Sequence, residues 1–116
     1  MGVTVTSLTD AQDVFDSGMS ADAAQASLTT FEAAIADYLA GLRVARDVPQ
    51  AVLGAELGRD QSYVSKIEHC QRRVTVAEAL RWADALGLSF DEFASGLRPL
   101  WEKHVETRSI WEREEA

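Results

Sequence analysis

The 116-residue chain contains one cysteine, two histidines, two prolines and no lysine or arginine before Arg43. Each scarcity excludes something. A lone Cys70 cannot close an internal disulfide, and neither His69 nor His104 joins it at the spacing of a zinc site, so no metal and no cofactor is expected. No apolar run of about 18 residues occurs, which removes the pattern of a membrane-spanning helix. The opening stretch, MGVTVTSLTDAQD, has neither the basic segment nor the apolar segment of a secretory signal, and a cytoplasmic chain is expected. A phosphate-binding glycine loop, a nucleophile triad with supporting context and paired carboxylates in an evident cleft are all missing, so an enzyme is not expected.

Charge is abundant but unevenly placed. The net charge is −8, which by itself weakens attraction to a polyanion. Residues 1–40 contribute −6 and residues 82–116 contribute −4. Residues 41–81 carry +2, from Arg43, Arg46, Arg59, Lys66, Arg72, Arg73 and Arg81 against five acidic side chains. The basic charge is concentrated in the middle, and its distribution says more about partners than the total does. Length and an apolar content of 47% suit one domain with extensions.

Along the chain, residues 3–6 alternate like a very short strand, and Thr9 with Gln12 has capping-box spacing for a short helix near residues 10–16. Thr29 and Glu32 repeat that spacing and open a helix of about 16–18 residues with Phe31, Ile35, Leu39 and Leu42 on one face. Pro49 starts a short helix to Leu57 that buries Val52 or Ala51 together with Leu53 and Leu57, and Gly58 ends it. Asp60 caps the next helix, Gln61 to about His69, with Val64 and Ile67 inward. Thr75 or Val76 opens a fourth helix whose apolar face is Val76, Leu80, Ala83 and Leu86, and Gly87 closes it. Ser89 caps a last turn in which Phe90 and Phe93 fold back on the core.

Two short helices joined through a glycine-containing turn are the geometric requirement of a helix-turn-helix, with Gly54 as the small residue inside the first helix and Gly58 at the turn. Residues 42–93 resemble the Cro/CI type, or XRE family, of helix-turn-helix regulators. The resemblance is carried by Leu42-Arg43, Gln50, Leu57-Gly58, the run Val64-Ser65-Lys66-Ile67-Glu68, and Ala83-Asp84-Ala85-Leu86-Gly87-Leu88-Ser89. It implies an all-α, lambda-repressor-like bundle of about five helices with N- and C-terminal extensions. The expected organisation is an acidic extension over 1–28, the DNA-binding domain over 29–96 and a tail over 97–116. Two departures stand out. Cys70 occupies a position where the family usually has glycine, and Gly54 stands where alanine is common, at up to about 1 kcal/mol in helix propensity.

The same resemblance implies roles. Gln61, Ser62, Ser65 and Lys66 are the candidate base-contacting residues, against the alternative of a solvated helix face. Gln50, Arg59, Tyr63, Arg72 and Arg73 are candidate phosphate contacts, with Tyr63 alternatively covering the flank of its helix. Arg43 and Glu68 are expected to form a structural ion pair. The implied function is a DNA-binding transcriptional regulator, a repressor that reads a palindromic operator in double-stranded DNA as a homodimer. Leu97, Trp101, Val105 and Trp111 are its candidate dimer surface. The alternative is an antitoxin or other protein-interaction protein whose acidic extension binds a partner.

Overall fold

In the computed structural model, residues 21–106 are described, and within them the chain is all-helical. The expected strand at 3–6, the short helix near 10–16 and Trp111 lie outside these residues. The helices are α1 (Ala21–Ala45), α2 (Gln50–Glu56), α3 (Gln61–Glu68), α4 (Val76–Ala85) and α5 (Phe90–His104). None is long and apolar enough to cross a membrane.

Helix α1 is longer than expected because Thr29 does not cap it. The Thr29 and Thr30 hydroxyls instead donate to the Gln25 and Ala26 carbonyls one turn back, a bond that lets threonine sit inside a helix. The alanine-rich stretch before them has the highest helix propensity available, so the helix continues through the capping-box pattern. At the other end α5 runs on through Leu97 to His104. It accommodates Pro99 on an exposed face, where water can serve the Ser95 carbonyl that proline cannot. The boundaries expected at 28/29 and 96/97 thus both fall inside continuous helices. Outer segments of α1 and α5 meet through Phe31 and Trp101, whose rings lie edge to face at 5.2 Å, and through the Ser27 hydroxyl donating to the His104 carbonyl.

All four interhelical breaks use one device. After α1, α2, α3 and α4 the chain turns through a residue of positive φ, respectively Asp47, Gly58, Cys70 and Gly87. Each turn has paired backbone bonds back into the last helical turn, such as Arg59 N–H to Gly54 O and Gln71 N–H to Lys66 O, both 2.8 Å. Cys70, at φ 58, therefore adopts the conformation that glycine would take at no steric cost.

The core joins Leu39, Leu53, Val64, Ile67, Trp82, Leu86, Leu88 and Phe93 around a fully buried Trp82, whose Nε1–H donates to the Leu39 carbonyl at 3.1 Å. Burial of each large aliphatic side chain contributes on the order of 1.5–3 kcal/mol. Three expected core residues are displaced from it. Val52 and its alternative Ala51 are both exposed, Phe90 is exposed, and Val76 is 77% exposed. Val76 and Phe90 are the first residues of α4 and α5 and point away from the bundle, so the inward face of α4 is Ala79, Trp82, Ala83 and Leu86.

Candidate nucleic-acid interface

Helix α3 is presented by α2, and Gly54 sets how close the two come. A Cβ at Gly54 would lie 2.5 Å from the Asp60 carbonyl oxygen and 2.6 Å from its carbon. Gly54, expected as the small residue that close packing of the two helices needs, is thus the residue on which the turn closes. Asp60 caps α3 by accepting from the Tyr63 N–H at 3.0 Å. With Tyr63, Val64 and Ile67 inward, Gln61, Ser62 and Lys66 are left on the exposed side, while Ser65 is half-buried.

A chain of hydrogen bonds runs from the interior to that exposed row. Arg43 donates to both Glu68 oxygens, Nε to Oε2 at 2.6 Å and Nη2 to Oε1 at 3.0 Å, and through Nη1 to the Val48 carbonyl at 2.8 Å. The two side chains are 14% and 6% exposed. Hydrogen bonding to Glu68 raises the Arg43 pKa above its ordinary value, so the guanidinium stays charged. Gln50 Nε2 donates to Glu68 Oε1 at 2.9 Å, and Gln61 Nε2 donates to Gln50 Oε1 at 2.7 Å.

The polarity of this chain follows from its anchor. An ionised carboxylate only accepts, so Gln50 must turn its NH2 to Glu68 and its oxygen to Gln61. Gln61 must then use one N–H on Gln50, leaving its other N–H and its carbonyl oxygen without a partner among the described residues. Gln50, expected to contact phosphate, is half-buried and spends its oxygen and one N–H inside the protein.

Tyr63 is placed differently from a phosphate contact. Its ring is buried, burial raises its pKa, and its hydroxyl faces Glu78. Two guanidinium groups cover it, Arg59 at 4.2 Å and Arg72 at 5.0 Å from the ring centroid. Arg72 is doubly bound to Glu78, Nη1 to Oε1 and Nη2 to Oε2, each at 3.1 Å. Glu78 also accepts from the Thr75 N–H at 2.9 Å as half of a capping box. The Arg72 bond, then the Thr75 bond, hold the Glu78 carboxyl at about 2. Arg73 lies 3.7 Å from Glu32 in an exposed pair.

Sequence reasoning did not find the Gln50–Gln61 bond or the part played by Glu78. A signal for the second was present in Thr75-Val76-Ala77-Glu78, the spacing of a capping box. Of the candidate dimer surface, Leu97 packs against the core of its own chain, Val105 is half-buried, and Trp101 stays 42% exposed beside Phe31.

A family model described as a helix-turn-helix domain matches residues 34–95. No curated protein and no solved structure gives a significant match to the chain.

Proposed function

The chain belongs to the helix-turn-helix domain family, and from that premise we propose that it is a non-enzymatic, sequence-specific transcriptional regulator of the XRE type. In this reading it acts in the cytoplasm as a repressor and reads double-stranded DNA through α3. The observation that carries the proposal is the oriented Gln61 amide at the start of α3's exposed row. Its free N–H and carbonyl match the N7 acceptor and N6 donor of adenine in the major groove. Ser62 and Lys66 follow on the same side, Lys66 suited to the O6 and N7 acceptors of guanine. Ser65, half-buried, stands at the edge of that row.

Helix α3 has eight residues and spans about 12 Å, too short to read more than a few base pairs. A homodimer on two half-sites about 34 Å apart supplies the missing specificity. The net charge of −8 works in the same direction, because it weakens sequence-independent attraction to phosphates.

The test is fluorescence anisotropy of the full chain on duplexes selected from a random library and on unselected duplexes, across a salt series. Expected are tighter binding to the selected duplexes, two chains per palindromic site, and loss of discrimination at one base position in Gln61→Ala, worth about 1–3 kcal/mol. Absence of binding at 50 mM salt, or equal binding to all duplexes, overturns the proposal.

A further inference from the structure

The cations of residues 41–81 are not equivalent. Arg43, Arg72, Arg73 and Arg81 are each matched with a carboxylate, from Glu68, Glu78, Glu32 and Asp84 respectively. Among the described residues Arg46, Arg59 and Lys66 have no such match. Arg46 lies at the end of α1, toward Tyr38 and Glu92, and Lys66 belongs to the base-reading row of α3. Arg59 alone stands on the turn between α2 and α3. Its side chain makes no hydrogen bond within the described residues and is not paired with the neighbouring Asp60, whose Oδ1 accepts from the Tyr63 N–H. What holds Arg59 is the Tyr63 ring, 4.2 Å beneath its guanidinium carbon.

We propose that Arg59 is the cation that grips a DNA backbone phosphate beside the start of α3, that Tyr63 is its positioning residue, and that Arg72 is an internal strut. The division follows from what each group is already bound to. Tyr63 is a rigid platform because its ring is buried and the Arg72 guanidinium, itself held by Glu78, also lies against that ring. A guanidinium resting on such a platform loses less freedom on binding than a free arginine, and all its N–H donors remain available for two-pronged contact with phosphate oxygens. Arg72 has two of its donors on Glu78 and another contact to the Arg73 carbonyl, so its charge is neutralised where it stands. The inference rests on the DNA-binding reading above and adds which residues hold the backbone and how.

Two measurements on the full chain test it. The first is the salt dependence of duplex binding. Arg59→Gln removes one phosphate contact, so the slope of log K against log salt becomes shallower by about 0.9. Selected and unselected duplexes weaken alike, by a factor about threefold larger at 50 mM than at 200 mM salt. Arg72→Gln and Tyr63→Phe leave the slope at the wild-type value; Tyr63→Leu weakens binding at an unchanged slope, and adds no further weakening in the Arg59→Gln, Tyr63→Leu double variant. The second measurement needs no DNA. In the free protein the Arg59 side-chain proton resonances are shifted by the Tyr63 ring current, the shift survives in Tyr63→Phe, and it is lost in Tyr63→Leu. A wild-type slope in Arg59→Gln, a shallower slope in Arg72→Gln, or unshifted Arg59 resonances overturns this inference while leaving the DNA-binding reading intact. Failure of the wild-type chain to bind any duplex at 50 mM salt overturns both.

Discussion

Replacing Gly54 with alanine sets two physical arguments against each other. Helix propensity alone makes Gly54→Ala stabilising by about 0.8–1.0 kcal/mol, since glycine in a helix interior carries the larger entropy loss. Tertiary geometry says the reverse. The added methyl would sit 2.5 Å from the Asp60 carbonyl oxygen, where ordinary contact begins near 3.4 Å. Relief requires the turn to retreat by roughly 0.9 Å, the difference between those distances. The obstacle is backbone, tied by the Arg59 N–H to the Gly54 carbonyl and by the Asp60 cap on α3. Overpacking of this kind costs about 1–3 kcal/mol, and a tethered backbone places it near the upper end. After the propensity gain, a net loss of about 2 kcal/mol remains, or a melting temperature lower by about 8–16 °C. Gly41 is the matched control, because it lies in α1 with nothing within 4 Å of its would-be Cβ. Gly41→Ala should therefore show the propensity gain undiminished, about 0.8–1.0 kcal/mol. Urea titrations of the two variants, followed by circular dichroism, read both effects as shifts in midpoint at constant slope. If Gly54→Ala is stabilised as Gly41→Ala is, the close approach of α2 and α3 does not limit this fold.

Three other perturbations follow from the same geometry. Glu68→Leu strands the nearly buried Arg43 charge and should cost about 3 kcal/mol in urea titrations, with partial recovery in the Arg43→Met, Glu68→Leu double variant; a loss within 0.5 kcal/mol of zero would mean that the pair is solvated. The Glu78 carboxyl is held at about 2 against an ordinary 4.5, so its contribution to stability is complete above about pH 5 and fades as pH falls toward 2. Thermal melts of wild type and Glu78→Gln between pH 2 and 6 should show a flatter dependence in the variant, and salt should diminish the contrast because the Arg72–Glu78 pair is partly exposed. Cys70→Gly relieves a left-handed backbone and should stabilise the chain by about 0.5–1 kcal/mol in urea, once the entropy lost by glycine is allowed for; a destabilised variant would show that the thiol's own contacts outweigh the strain.

Much of this molecule is legible locally. Asp60 caps α3, Thr75 and Ser89 open α4 and α5, and Gly58 and Gly87 close α2 and α4, because caps and left-handed turns depend on a few neighbouring residues. The inward pair Val64 and Ile67 is equally readable from spacing. The start of α1 was not readable, because Thr29 suits both a cap and a helix interior, and only its continuation through Gln25 and Ala26 decides between them.

Residue types and their spacing were enough to determine a small helical domain with α2, a tight turn and α3 in its middle, and to place Gln61, Ser62 and Lys66 on one side of α3. Only tertiary structure decided what those side chains can do. Gln50, Gln61, Arg43 and Glu68 come from three helices, and their hydrogen-bond polarity is set by a carboxylate that accepts from two of them. Tyr63 and Arg59 likewise meet Arg72 and Glu78 only across the turn at Cys70. Periodicity reports which face a residue occupies; its partners depend on contacts between segments distant in sequence, and those partners determine whether a glutamine amide or a guanidinium remains free to bind.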